Sequence, residues 1–187
     1  MRIDVITLFP EIFASITDYG ISARAMKRGL WNIHFWNPRD VTEDVHRTVD
    51  DRPFGGGPGM VMMAEPLAKT LEYVRASGNS GPVIAFSPTG ERLTDAYVRS
   101  FSSQPAGQMV LVCGRYEGID ERFLETYVDH TVSLGDFVLS GAELAACALI
   151  DAVVRQLPGA IKELSASDES FSTGLLDAPH YTRPEVW

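Results

Sequence analysis

Residues 111–145 read LVCGRYEGIDERFLETYVDHTVSLGDFVLSGAELA. An apolar run from Met109 to Cys113 halts at Gly114, and the charged turn Arg115-Tyr116-Glu117-Gly118-Ile119-Asp120 follows. A second short β-like run, Tyr127 to Leu134, halts at Gly135-Asp136, and Ser140-Gly141 leads into a strongly apolar helix. Two buried strands therefore end in glycine turns about twenty residues apart. In open α/β sheets ligands sit at the carboxyl ends of strands, where glycine lets backbone approach closely. The stretch predicts a ligand site built mainly of backbone.

Working outward, Ile3–Phe9 has the composition of a buried strand, and Pro10 opens a short helix. Ile21–Arg28 reads as a helix ending at Gly29, and Leu30–Trp36 as a strand with one apolar side. From Asn37 to Gly59 periodicity disappears. That segment is charged, holds three prolines and a glycine cluster, and is long enough to imply function or disorder. Gly55-Gly56-Gly57-Pro58-Gly59 fits neither a dinucleotide fingerprint nor a P-loop, and suits a chain packed over a flat ligand. Leu67, Leu71 and Val74 make the apolar stripe of a helix over 64–76. Val83–Phe86 is a strand that ends in Ser87-Pro88-Thr89-Gly90, and Thr94 caps a helix through Ser102. Helices over 119–125 and 141–156 complete the series. Strands alternating with helices predict an α/β fold, a parallel sheet flanked by helices on both faces. After Pro158-Gly159 the chain turns polar, and Lys162–Gly174 reads as a flexible linker.

With 187 residues the chain can bury a full core in one main domain. Its 16 basic against 25 acidic residues argue against strong autonomous binding to nucleic-acid phosphates, although Arg24, Lys27 and Arg28 form a local basic group. Cys113 and Cys147 sit in apolar runs and read as buried thiols, not a disulfide. The four histidines are scattered without metal-ligand spacing, so no metal site is expected. There is no signal region and no run of membrane-spanning length, which makes the cytoplasm the expected location.

Three strand ends face ligand chemistry: Ser87-Pro88, Gly114 with Tyr116, and Gly135-Asp136. No nucleophile elbow or zinc motif accompanies them, so the site is built for orientation and electrostatics. Group transfer between two bound substrates needs least from side chains. Glu117 and Asp120 read equally well as solvated caps of their turn. Arg155 lies where a cation meets a helix dipole. Asp168, Glu169 and Asp177 are linker carboxylates, and a histidine such as His180 is more often a packing or hydrogen-bonding residue than a base.

Four long motifs, in order, give these residues a context: DDRPFGGGPGM (50–60), LVCGRYEGIDER (111–122), SLGDFVLSG (133–141) and GLLDAPHYTRPEV (174–186). The whole chain resembles the bacterial tRNA (guanine-37-N1) methyltransferases of the SPOUT superfamily. That resemblance implies a deep C-terminal trefoil knot, an S-adenosylmethionine pocket within the knot and an active site between the two subunits of a homodimer. On matching positions the cofactor pocket would be Ser87, Pro88, Gly114, Tyr116, Gly118 and the run Leu134, Gly135, Asp136, Phe137, Val138, Leu139. Gly59 and Glu117 would hold the target guanine, with Asp177 and His180 also on the substrate side. Arg155 matches the catalytic arginine. The general base is Glu169 or Asp168, and alignment to Ser170-Phe171 prefers Glu169. The positively charged sulfonium of the donor has no quarrel with an acidic protein.

The sequence departs from the family at Glu169, where the family has aspartate, and at Gly141-Ala142-Glu143-Leu144-Ala145, where the family reads Gly-Gly-Glu-Leu-Pro. The family also continues into a small basic domain that grips tRNA. Residues 1–160 are thus read as the catalytic domain, and 161–187 as the interdomain linker and the start of a truncated C-terminal domain. Two readings stand: a methyltransferase acting on guanosine 37 of tRNA, or a cofactor-binding dimer module without catalytic competence.

Overall fold

The computed structural model describes residues 1–102, 107–161, 170–171, 176–184 and 186. Among the described residues seven strands are formed: β1 Arg2–Ile6, β2 Asn32–Trp36, β3 Asp50–Asp51, β4 Val61–Met62, β5 Val83–Arg92, β6 Gln108–Val112 and β7 His130–Ser133. The helices are α1 Ala14–Thr17, α2 Gly20–Lys27, α3 Ala64–Ala76, α4 Asp95–Ser102, α5 Glu121–Tyr127 and α6 Glu143–Arg155. Five strands make one sheet in the order β2-β1-β6-β5-β7, and every neighbouring pair is parallel. The expected α/β class is what forms.

Alternation along each strand divides the core in two, because successive side chains leave opposite faces. Ile3 and Val5 of β1, Met109 and Leu111 of β6 and Ile84 of β5 pack with Leu149, Ile150, Val153 and Val154 of α6. Ile6, Val110, Val112 and Val83 point the other way, into Leu67, Leu71 and Val74 of α3 and Phe123 of α5. Each fully buried aliphatic side chain is worth about 1.5–3 kcal/mol of transfer free energy, so the four large residues of α6 fix that helix firmly to the sheet. No helix among the described residues is long and apolar enough to cross a membrane.

Two segments differ from their sequence reading. The stretch 37–59 is not structureless. Pro38–Val41 forms a 3-10 turn in which the Asn37 side chain accepts from Arg39 N, and Asp44 accepts from the backbone of His46 and Thr48. Further on, β3 pairs antiparallel with β4. Short polar side chains supply these backbone partners, which hydrophobic periodicity does not register. The second difference is β5, which continues beyond Phe86. Phe86 and Glu91 both register against Val132 of β7, so Ser87-Pro88-Thr89-Gly90 loops out as a four-residue bulge. Thr94 caps α4, its hydroxyl accepting from Tyr97 N at 3.2 Å. The predicted linker falls mostly outside the described residues.

Candidate functional site

The bulge within β5 and the carboxyl ends of β6 and β7 converge on a cavity of about 280 Å³. One wall is the bulge after Phe86, with Ser87 and Pro88. A second is the turn from Gly114 to Ile119, and the third is the run from Leu134 to Gly141, leading to Ala142 and Ala145 of α6. Of the residues expected in a cofactor pocket, Ser87, Pro88, Gly114, Tyr116, Gly118, Leu134, Gly135, Phe137, Val138 and Leu139 all line this space. Asp136 does not. It is exposed and pairs with Arg92 at 3.2 Å.

The walls are tied to one another mainly through backbone. Ala142 N donates to Gly114 O at 3.0 Å, and Arg115 and Gly141 form an isolated antiparallel bridge, so the second and third walls are pinned. The hairpin of β3 and β4 is stitched to the second wall: Glu117 N donates to Met60 O, Met62 N to Gly118 O and Asp120 N to Met62 O, each at 2.9 Å. Arg115 N also reaches the Met62 sulfur at 3.2 Å. Asp120 caps α5 by accepting from Arg122 N. Its carboxyl lies below the ordinary aspartate range, chiefly because the Arg122 side chain donates to it.

Tyr116 holds a φ of +61° in the left-handed region. Such a backbone in a non-glycine residue is strained by about 1–2 kcal/mol and must be over-determined by its surroundings. Arg39 donates to the Tyr116 hydroxyl at 3.3 Å, and Arg39 is itself held by the carbonyl of Arg47 at 2.7 Å. Partial burial and the nearby Asp50 push the Tyr116 phenol above its usual range, so it stays neutral at physiological pH.

Gly59 and Glu117, expected together at the target guanine, do meet. Gly59 has a φ of +73°, and a Cβ there would run into the Glu117 carboxylate. Asp177 and His180 form an exposed pair at 2.9 Å, which holds the Asp177 carboxyl below its usual range. Asp168 and Glu169 lie outside the described residues. Arg155 closes α6 at the end opposite the cavity. Ala145 lines the cavity and Arg155 lies ten residues later, so at 1.5 Å per residue the two are about 15 Å apart along the helix.

Beneath the cavity is a buried polar group that sequence reasoning missed. Thr7 Oγ1 donates to Glu143 at 2.9 Å, and Arg115 Nη2 lies 2.8 Å from the second oxygen of that carboxylate. The available signal was a carboxylate in the first turn of a mostly apolar helix.

The family model described as tRNA (guanine-1)-methyltransferase TrmD matches residues 1–187. The chain belongs to this methyltransferase family. A tRNA (guanine-N(1)-)-methyltransferase of Thiobacillus denitrificans is 60% identical over 192 residues, which cover all of this chain and 80% of the relative. Its counterpart in Pseudomonas putida strain W619 is 58% identical over 189 residues, covering all of this chain and 75% of that one. Among solved structures, the tRNA (m1G37) methyltransferase from Aquifex aeolicus superposes with a TM-score of 0.83 at 37% identity, over all of this chain and 78% of that chain. In this methyltransferase family member the motifs at 111–122 and 133–141 supply two of the turns that wall the cavity.

Proposed function

We propose that the chain transfers a methyl group from S-adenosylmethionine to N1 of guanosine 37 in tRNA. The observation that carries this reading is the cavity onto which the bulge within β5 and the turns after β6 and β7 converge, with the Gly59–Glu117 contact standing on the same wall. The lining suits the donor. Leu134, Phe137, Leu139 and Ala145 offer an apolar slot for a flat base, and backbone groups at the glycine turns offer the hydrogen bonds that orient it.

Bound S-adenosylmethionine supplies an electrophilic methyl group. The chain does the rest. Guanine N1 carries a proton, so a carboxylate must accept it as the new N–CH3 bond forms. Glu169 takes that role, with Asp168 beside it as the alternative. As the proton leaves, negative charge grows on O6, and the Arg155 guanidinium holds it. Gly59 and Glu117 fix the guanine, while Asp177 and His180 stand on the substrate side. Because α6 keeps Arg155 about 15 Å from its own cavity, the arginine serves the cavity of a second subunit in a homodimer. The exposed side of α6, with Leu144 57% exposed, supports that pairing. The knot, the boundary near residue 160 and a cytoplasmic location belong to the same reading.

Mixed dimers test the shared site. Arg155→Ala and Gly114→Val, the latter filling the cavity, are each inactive alone. Random mixing makes half the dimers mixed, each with one intact site, so methyl transfer returns to about a quarter of the wild-type rate. No recovery from a mixture shown to exchange subunits sinks the shared site. The second reading, a dimer module that binds cofactor without catalysis, is favoured by Glu169 standing where the family has aspartate. It predicts cofactor binding with no methyl transfer by the wild-type protein.

A further inference from the structure

Glu143 is 1% exposed, yet the reaction outlined above gives it nothing to do. Its contact with Arg115 at 2.8 Å is close but is not aligned as a hydrogen bond, and Arg115 Nε has no hydrogen-bond partner among the described residues. The pair is a meeting of charges and not the two-pronged fork that arginine usually makes with a carboxylate. Arg115 is nonetheless held in place. Its guanidinium stacks 4.4 Å from the Phe9 ring centroid, Nη1 donates to Ser140 O at 3.3 Å, and it lies where a Cβ on Gly141 would be. It lines the cavity while being largely withdrawn from solvent.

A brace between two turns does not call for charges, since a buried ion pair is often no more stabilising than an apolar pair of the same volume. A wall that faces a charged ligand does. The methyl donor carries a sulfonium, and once the methyl has left, the remaining thioether is neutral. A guanidinium without a counter-charge in this wall would repel the donor and leave the product untouched. We propose that Glu143 is a positioning and specificity-determining residue: by cancelling Arg115 it lets the cavity prefer the sulfonium donor to its thioether product. The inference rests on the cofactor reading of the cavity.

Calorimetric titration with S-adenosylmethionine and with S-adenosylhomocysteine tests it on the wild-type chain and on E143Q, E143D and R115M. E143Q weakens the donor about tenfold more than the product, the scale of one unscreened charge near a partly buried site. E143D keeps the charge and holds the wild-type ratio, even if it melts earlier. R115M moves the ratio the other way, toward the donor. Equal weakening of both ligands by E143Q assigns Glu143 a purely structural role and overturns the proposal. If E143Q does not fold, an unmoved ratio in R115M overturns it instead. A folded wild-type chain that binds neither ligand removes the cofactor reading, and the proposal with it.

Discussion

At Gly90 a methyl group would sit 2.7 Å from the carbonyl carbon and oxygen of Thr131, so the β5 bulge can rejoin β7 only where a side chain is missing. Gly90→Ala is expected to cost about 1–3 kcal/mol through overpacking, and it should loosen Ser87-Pro88, three residues upstream in the cavity wall. Thermal melting and donor titration of G90A check this together. A variant that melts and binds like wild type contradicts the close approach. Sequence reading placed Gly90 at the end of a strand but could not foresee this contact, because Thr131, the neighbour that forbids a side chain, is 41 residues away. Glu143 was hidden for a related reason. Its partners Thr7 and Arg115 lie on other elements, and only the assembled fold shows the carboxylate to be buried. Gly59 and Glu117 were legible only as motif positions, since nothing local to either announces the other.

Elements were more legible than contacts. The helix read over 64–76 is α3 to the residue, because Leu67, Leu71 and Val74 repeat at helical spacing and bury one side. Strands β1 and β6 were evident as apolar runs, since parallel strands covered on both faces have no polar side to show. The bulge in β5 was not, as Ser87-Pro88-Thr89-Gly90 carries the composition of a turn and gives no sign that pairing resumes. For α6 the apolar content marked a buried helix, yet Leu144 and Ala148 are exposed. That uncovered side sits between the cavity at one end of the helix and Arg155 at the other. Leu144→Glu should therefore turn a dimer into a monomer in sedimentation and abolish methyl transfer, with the cavity's affinity for donor falling far less. A variant that remains dimeric removes Leu144 from the interface.

For the molecule as a whole, the end of the sheet away from the cavity is secured by Asp4, which is fully buried. Arg2 donates to it twice, Trp36 Nε1 reaches it from β2 at 2.7 Å, and Asn79 Nδ2 from the turn before β5 at 2.7 Å. Burial alone would raise the Asp4 carboxyl, but the Arg2, Asn79 and Trp36 hydrogen bonds and the Arg2 charge outweigh it and hold the group below its ordinary range. A carboxyl depressed in the folded state adds stability that is fully present above its unfolded value, about 3.9. That stability is lost as pH falls through the depressed folded value. Asp4→Asn should cost about 3 kcal/mol at pH 7, and the gap to wild type should narrow below about pH 4. Denaturant titrations at pH 7 and pH 3 measure both. A gap independent of pH would mean that Asp4 is held by shape rather than by charge.

The order of the strands also sets a schedule for the growing polypeptide. β6, which spans Gln108–Val112, fills the centre of the sheet between β1 and β5. Until it leaves the ribosome, β1 and β5 have no strand to join them, and the apolar residues on both their faces stay uncovered. At about 5–20 residues per second, that leaves the nascent chain exposed for several seconds or more. During that time it offers unpaired parallel edges to other nascent chains, so slower translation before β6 should raise aggregation, whereas a pause after α6 should not.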